Sequence, residues 1–212
     1  SIGQKDKDTD IIRISYDSPK TPSRTFEYNI KTKEKKLLKE QIIPSGHNRD
    51  DYIVERLNCE SHDGRQTPMT ITYHKKTKLD GSAHVLLYGY GSYGMSMGPS
   101  FSSTRLSLIN RNIIWVTCHI RGGMERGMRW WKEGKMLNKK NTFSDFISCA
   151  KFLIEKKYTS KKKIIAYGGS AGGLLLGSTI NQIPDLLLGA IMAVPFVDNL
   201  TTNMDHALPL TK

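Results

Sequence analysis

Lys163-Ile-Ile-Ala-Tyr167, then Gly168-Gly-Ser-Ala-Gly-Gly173, then Leu174-Leu-Leu-Gly-Ser-Thr-Ile180 is the stretch that decides the fold. An apolar run, a turn of small residues around Ser170 and a second apolar run read as buried strand, tight turn and helix. Gly168-Gly169-Ser170-Ala171-Gly172 fits Gly-x-Ser-x-Gly. In that turn a strained backbone raises the serine Oγ above the end of a sheet. Small neighbours are required because strand and helix pack closely there. The Ala171 N–H, at the helix start, is placed to donate to a developing oxyanion. Glycine-rich turns before helices also bind phosphate. Here no Gly-Lys-Ser/Thr follows, and the glycines lack dinucleotide spacing. A tight turn with a bystander serine is the competing reading.

Working outward, Val85-Leu-Leu-Tyr88 and Ile113-Ile-Trp-Val-Thr-Cys118 are continuous apolar runs, as in strands buried on both faces of a parallel sheet. Residues 143–157 repeat apolar side chains at helical spacing through Phe143, Phe146, Ile147, Ala150, Leu153 and Ile154. Thr142 with Asp145 resembles a capping box. Gly189 to Val194 reads as a further strand. The succession strand, helix, strand predicts an α/β fold with a mostly parallel sheet. Before it, Tyr52 to Ser61, a turn at His62-Asp-Gly-Arg65, and the alternation of Met69, Ile71 and Tyr73 with Thr70 and Thr72 predict a hairpin.

The N-terminal part is different. Asp10 to Tyr16 and Thr25 to Ile30 alternate as half-exposed strands, separated by Pro19, Thr21, Pro22 and Ser23. Residues 44–51 read as a connector. At 212 residues, with 38% hydrophobic and 25% charged residues, the chain can build one sizeable core. No apolar run approaches the ~20 residues of a membrane span. Ser1 to Asp10 is polar, so no signal peptide is expected there, and the expected location is cytoplasmic. Cys59, Cys118 and Cys149 form neither a disulfide framework nor a metal pattern, and read as buried free thiols. The net charge of +12 comes from scattered lysines, as in Lys31 to Lys39 and Lys161 to Lys163. It reads as a solvated surface, and neither a nucleic-acid nor a membrane partner is expected.

Several stretches together resemble the prolyl oligopeptidase family, in its oligopeptidase B branch. They are Leu87 to Gly94, Ile120-Arg-Gly-Gly123, Asn138 to Asp145, Tyr167 to Gly173, Asn181 to Asp185 and Val194 to Asp198. The resemblance covers roughly residues 52–212. It implies a truncated α/β-hydrolase-type domain over 51–212, preceded over 1–50 by the end of a β-propeller. It implies Ser170 as the acyl-forming nucleophile and Tyr90 as an oxyanion hydroxyl beside the Ala171 N–H. A loop after the corresponding strand supplies the second oxyanion donor elsewhere in this fold class. Tyr93 would line the substrate pocket. Arg121, past the end of a strand, would contact substrate or form a structural salt bridge. The substrate would be a short peptide, cut after Arg or Lys. Relatives place acidic residues near positions 98 and 100, whereas this chain has Gly98 and Ser100. No metal or cofactor is implied.

A serine needs a base. In this fold class the order is Ser, Asp, His. After Ser170 come Asp185, Asp198, Asp205 and His206, all too early by the resemblance. His119 precedes the serine, and His47, His62, His74 and His84 carry no catalytic signal. The 212 residues are therefore expected to be inactive alone, with the triad Asp and His supplied by a C-terminal chain. Esterase, acyl-peptidase and non-catalytic readings stand beside that of peptidase.

Overall fold

The computed structural model describes the backbone of Ile2–Gly3 and residues 9–208. The polar opening from Ser1 lies mostly outside the described residues, as do the last four positions.

Two sheets follow one another along the chain. The first has β1 (Ile2–Gly3), β2 (Ile11–Ser18), β3 (Thr21–Asn29) and β4 (Lys35–Glu40) in that order, all antiparallel. The β2–β3 turn is only Pro19-Lys20, so Pro22 and Ser23 lie inside β3 rather than separating strands. Pro22 is tolerated because pairing with β4 begins only at Arg24, so no ladder bond needs its missing N–H. β4 was not foreseen. It is exposed throughout and lysine-rich. Arg24 anchors its end by donating to the Glu40 carboxylate at 2.7 and 2.8 Å.

The second sheet has β5 (Tyr52–Glu60), β6 (Gln66–His74), β7 (Val85–Tyr88), β8 (Ile114–Cys118), β9 (Ile164–Gly169) and β10 (Leu187–Ala193). Their spatial order is β10-β9-β7-β8-β6-β5. The ladders among β10, β9, β7 and β8 are parallel, and β6 joins β8 and β5 antiparallel. β5 and β6 form the expected hairpin, closed by the Ser61 N–H donating to the Arg65 carbonyl at 2.8 Å. Alternation in β6 does not produce a wet face. Thr70 and Thr72 are buried like Ile71, because helices cover both sides of the sheet there.

The helices are α1 (Ser103–Ile109), α2 (Met128–Lys132), α3 (Lys140–Glu155), α4 (Gly172–Gln182) and α5 (Asn199–Met204). No helix among the described residues is long and apolar enough to cross a membrane. Successive strand residues point to opposite faces. Leu87 accordingly enters the core with Ile71, Val116, Phe146, Leu153 and Leu175, while Leu86 packs with Leu106, Ile109 and Trp115. Thr142 and Asp145 do not cap α3, which starts two residues earlier. Thr142 Oγ1 donates to the Arg121 and Gly134 carbonyls, and Asp145 is taken by the Arg121 guanidinium, a stronger partner than a helix N–H.

The chain leaves β7 toward β8, crosses back to β9 and continues to β10. The order therefore reverses between β7 and β9, and the crevice beyond their carboxyl ends is where α/β sheets bind ligands. The loop starting at Gly89 and the turn at Ser170 both open there.

Candidate active site

Ser170 sits between β9 and α4 with φ 53°, a left-handed conformation rare for a residue with a side chain. It is exposed. The strain is held by bonds on three sides. The Ser170 N–H donates to the Ala193 carbonyl at 2.9 Å, and its carbonyl accepts from the N–H groups of Gly173 at 2.8 Å and Phe196 at 2.9 Å. A side chain at Gly173 would come within 2.6 Å of Pro195, so only glycine lets this turn meet the segment after β10. That segment is itself strained, with Val194 at φ 42°.

Ala171 begins α4 in helical conformation, and no backbone carbonyl among the described residues accepts from its N–H. It is one of the orphan donors of a helix start, open to a ligand. Tyr90 follows β7 and is half-buried. A side chain on Gly172 would lie 3.7 Å from both its Cα and its ring, so Tyr90 rests on the start of α4. Burial raises its pKa and Tyr93 adds to the rise, while a hydrogen-bonding interaction with Ser170 acts the other way. The structure thus brings Ser170, Tyr90 and Ala171 together.

Tyr93, at φ 57°, is largely exposed on the wall of a cavity of about 430 Å³ that also includes Ala171, Leu174, Phe196, Trp131 and Lys139. A larger cavity, about 660 Å³, is lined by Tyr88, Trp115, Tyr167 and Ile191 with Gly98 and Ser100. It contains none of Ser170, Tyr90 or Ala171, whereas the smaller one includes Ala171.

The structure does not place Arg121 in contact with substrate. Its side chain is 1% exposed and every arm is used. Nη2 donates to Asp145 Oδ1 at 2.6 Å, Nε to Asp145 Oδ2 at 2.9 Å and Nη1 to Asp63 Oδ2 at 2.6 Å. The structural salt bridge is the reading that fits. It ties the β5–β6 turn and α3 to the turn after β8.

None of the six histidines is seen bonded to Ser170 among the described residues. His119 is buried with Nε2 against Thr70 Oγ1 at 2.8 Å and Arg56 Nη1 at 3.3 Å. Arginine only donates, so Nε2 is the acceptor and the proton sits on Nδ1, facing Glu125 at 3.6 Å. His206 is exposed in the turn after α5. Cys59, Cys118 and Cys149 are buried and free, as expected, with Cys59 and Cys149 Sγ 3.3 Å apart. Their contact and burial push the Cys59 thiol far up, away from reactivity.

Sequence reasoning missed Lys139, Trp131 and Phe196 on the cavity wall, and Asp63 and Asp145 around Arg121. Only the Asn138 to Asp145 and Val194 to Asp198 stretches gave any signal, and that signal was similarity rather than chemistry.

A strained, exposed serine in a Gly-x-Ser-x-Gly turn at the reversal point of an α/β sheet has the geometry of a serine-hydrolase turn. The prolyl oligopeptidase family model matches residues 99–212, and the chain belongs to that family. It is 45% identical over 204 residues to dipeptidyl aminopeptidase BI of Pseudoxanthomonas mexicana, covering 96% of this chain and 28% of that protein. It is 42% identical to protease 2 of Moraxella lacunata, over 99% of this chain and 30% of that protein. Among solved structures, oligopeptidase B from Leishmania major superposes with a TM-score of 0.90 at 40% identity, over 96% of this chain and 28% of that one. The chain therefore spans less than a third of the length of these relatives.

Proposed function

We propose that the chain is the nucleophile-bearing part of a serine oligopeptidase of the oligopeptidase B type, acting on short peptides through an acyl-enzyme. Ser170 Oγ attacks the scissile carbonyl, and the Tyr90 hydroxyl and Ala171 N–H receive the oxyanion. The observation that carries this reading is the convergence of a strained, exposed Ser170, a tyrosine hydroxyl and an unclaimed helix-start amide at one crevice. Tyr93 and Phe196 offer a substrate side chain apolar contact in the adjoining cavity. Residues 1–50 form a propeller end and 51–212 the first part of the catalytic domain; the break between the two sheets, before Tyr52, supports that division.

The groups that activate Ser170 come from residues beyond this sequence, and the 212 residues alone do not turn over. The placement of the six histidines supports this. So does β10, an edge strand whose Leu188 and Ile191 are about half exposed, beside the uncovered apolar cavity at Tyr88 and Trp115. Such an edge is a template for pairing. Cleavage after Arg or Lys is what the resemblance to the oligopeptidase B branch implies. Gly98 and Ser100 supply no acid for a neighbouring basic residue, so that preference rests on groups outside the sequence.

The chain joined to a C-terminal remainder from a relative tests the proposal. It is expected to hydrolyse a dibasic peptide in preference to a short-chain ester, and Tyr90→Phe should lower kcat by about 10²–10³. Ester hydrolysis without peptide cleavage would replace the peptidase reading with an esterase.

A further inference from the structure

Lys139 has an unusual place. It stands between a 3₁₀ turn over Met136–Asn138 and the start of α3. It is half-buried, and no carboxylate pairs with it among the described residues. Burial pushes its pKa down to about 8. A methionine would fill this position without that electrostatic penalty. What the ammonium gains is two acceptors: the Gly91 carbonyl at 2.6 Å and Ser92 Oγ at 2.8 Å. These are the two residues that follow Tyr90. Gly91 is itself packed against Thr142 and Ile120, where an added Cβ would lie within 2.4 Å of the Thr142 side chain.

We propose that Lys139 is a positioning residue for oxyanion stabilisation, holding the loop that carries Tyr90 against Ser170. The proposal rests on the reading of Ser170 and Tyr90 as nucleophile and oxyanion donor. A packed loop alone fixes Gly91 from one side, against Thr142 and Ile120. The lysine holds its carbonyl and the Ser92 hydroxyl, so the Gly91–Ser92 peptide, next in the chain after Tyr90, is fixed as well as packed. Loss of the Lys139 charge weakens both bonds and loosens the loop that carries Tyr90. The other titratable groups on the cavity wall or against this loop are Tyr88, Tyr90, Tyr93 and Lys135. Tyr90 ionises above its ordinary value of 10, later than Lys139.

The test uses this chain with carbon-13 at the tyrosine ζ position, following the Tyr90 signal against pH and assigning it by Tyr90→Phe. The wild-type signal is expected to shift with an inflection near pH 8, before Tyr90 itself ionises. Lys139→Arg, which keeps the charge, should retain the low-pH position and lose the inflection. Lys139→Met should lose the inflection and sit at the high-pH position throughout. A wild-type signal with no inflection overturns the proposal without any variant having to fold, and so does an unchanged inflection in Lys139→Arg. Ser170→Ala should displace the signal at every pH while leaving the inflection. If it leaves Tyr90 where it was, the Tyr90–Ser170 reading beneath the proposal fails instead.

Discussion

Asp145→Ala removes one half of a wholly buried ion pair. The carboxylate accepts from Arg121 Nη2 at 2.6 Å, Arg121 Nε at 2.9 Å, the Arg121 backbone N–H at 3.0 Å and Ser61 Oγ at 2.6 Å. Asp145 and Arg121 side chains are 0% and 1% exposed. Breaking such a pair costs about 3–5 kcal/mol, since the remaining charge stays desolvated. Asp63 still holds Nη1 and Nη2, which sets the expectation at the low end, about 3 kcal/mol. For a chain of this length that corresponds to a fall in Tm of roughly 6–12 °C. Urea unfolding followed by circular dichroism measures it, with thermal unfolding as the second reading. Arg121→Met with Asp145→Leu leaves no buried charge and should recover most of the loss. A loss below about 1 kcal/mol in Asp145→Ala would show that this network does not brace the site.

Asp63 is held below its ordinary pKa of 3.8 chiefly by the hydrogen bond from Arg121. A depressed folded-state pKa gives stability that is present above the unfolded value and lost as pH falls through the folded one. Wild type should therefore lose stability below about pH 4 more steeply than Asp63→Asn, measured by urea midpoints across that range. The three buried thiols should ignore a disulfide reagent in the native chain and all react once it is unfolded; fast native labelling would contradict their burial. Gly173→Ala sets a methyl group against Pro195 and the Phe196 N–H, both under 3 Å away. It should destabilise the chain by about 1–3 kcal/mol in the same unfolding assay.

The parts of the fold legible from sequence were those where burial acts on both sides. β7 and β8 showed as apolar runs because Leu86, Leu87, Trp115 and Val116 are buried on both faces, although one face opens on a cavity at Tyr88. The Ser170 turn showed because close packing excludes larger residues. β4 was hidden because its register is set by pairing to β3, while its lysines are of a type depleted in strands. The Thr142–Asp145 spacing suggested a cap, yet a buried guanidinium competes better for a carboxylate than a helix end does. Arg121 lies at the correct end of a strand for ligand contact, and only three-dimensional structure shows Asp63 and Asp145 closing around it. Lys139 could not be distinguished from its lysine neighbours, since its role depends on two acceptors some 47 residues away in sequence.

A fluorophosphonate probe reads the nucleophile most directly. It would be applied to the purified chain, to its Ser170→Ala variant, and to the chain with a matching C-terminal remainder added. Labelling that needs both Ser170 and the added remainder is expected. Labelling of the chain alone would place a base within these residues. No labelling of the folded chain in any mixture would mean a hydrolase fold without its reaction.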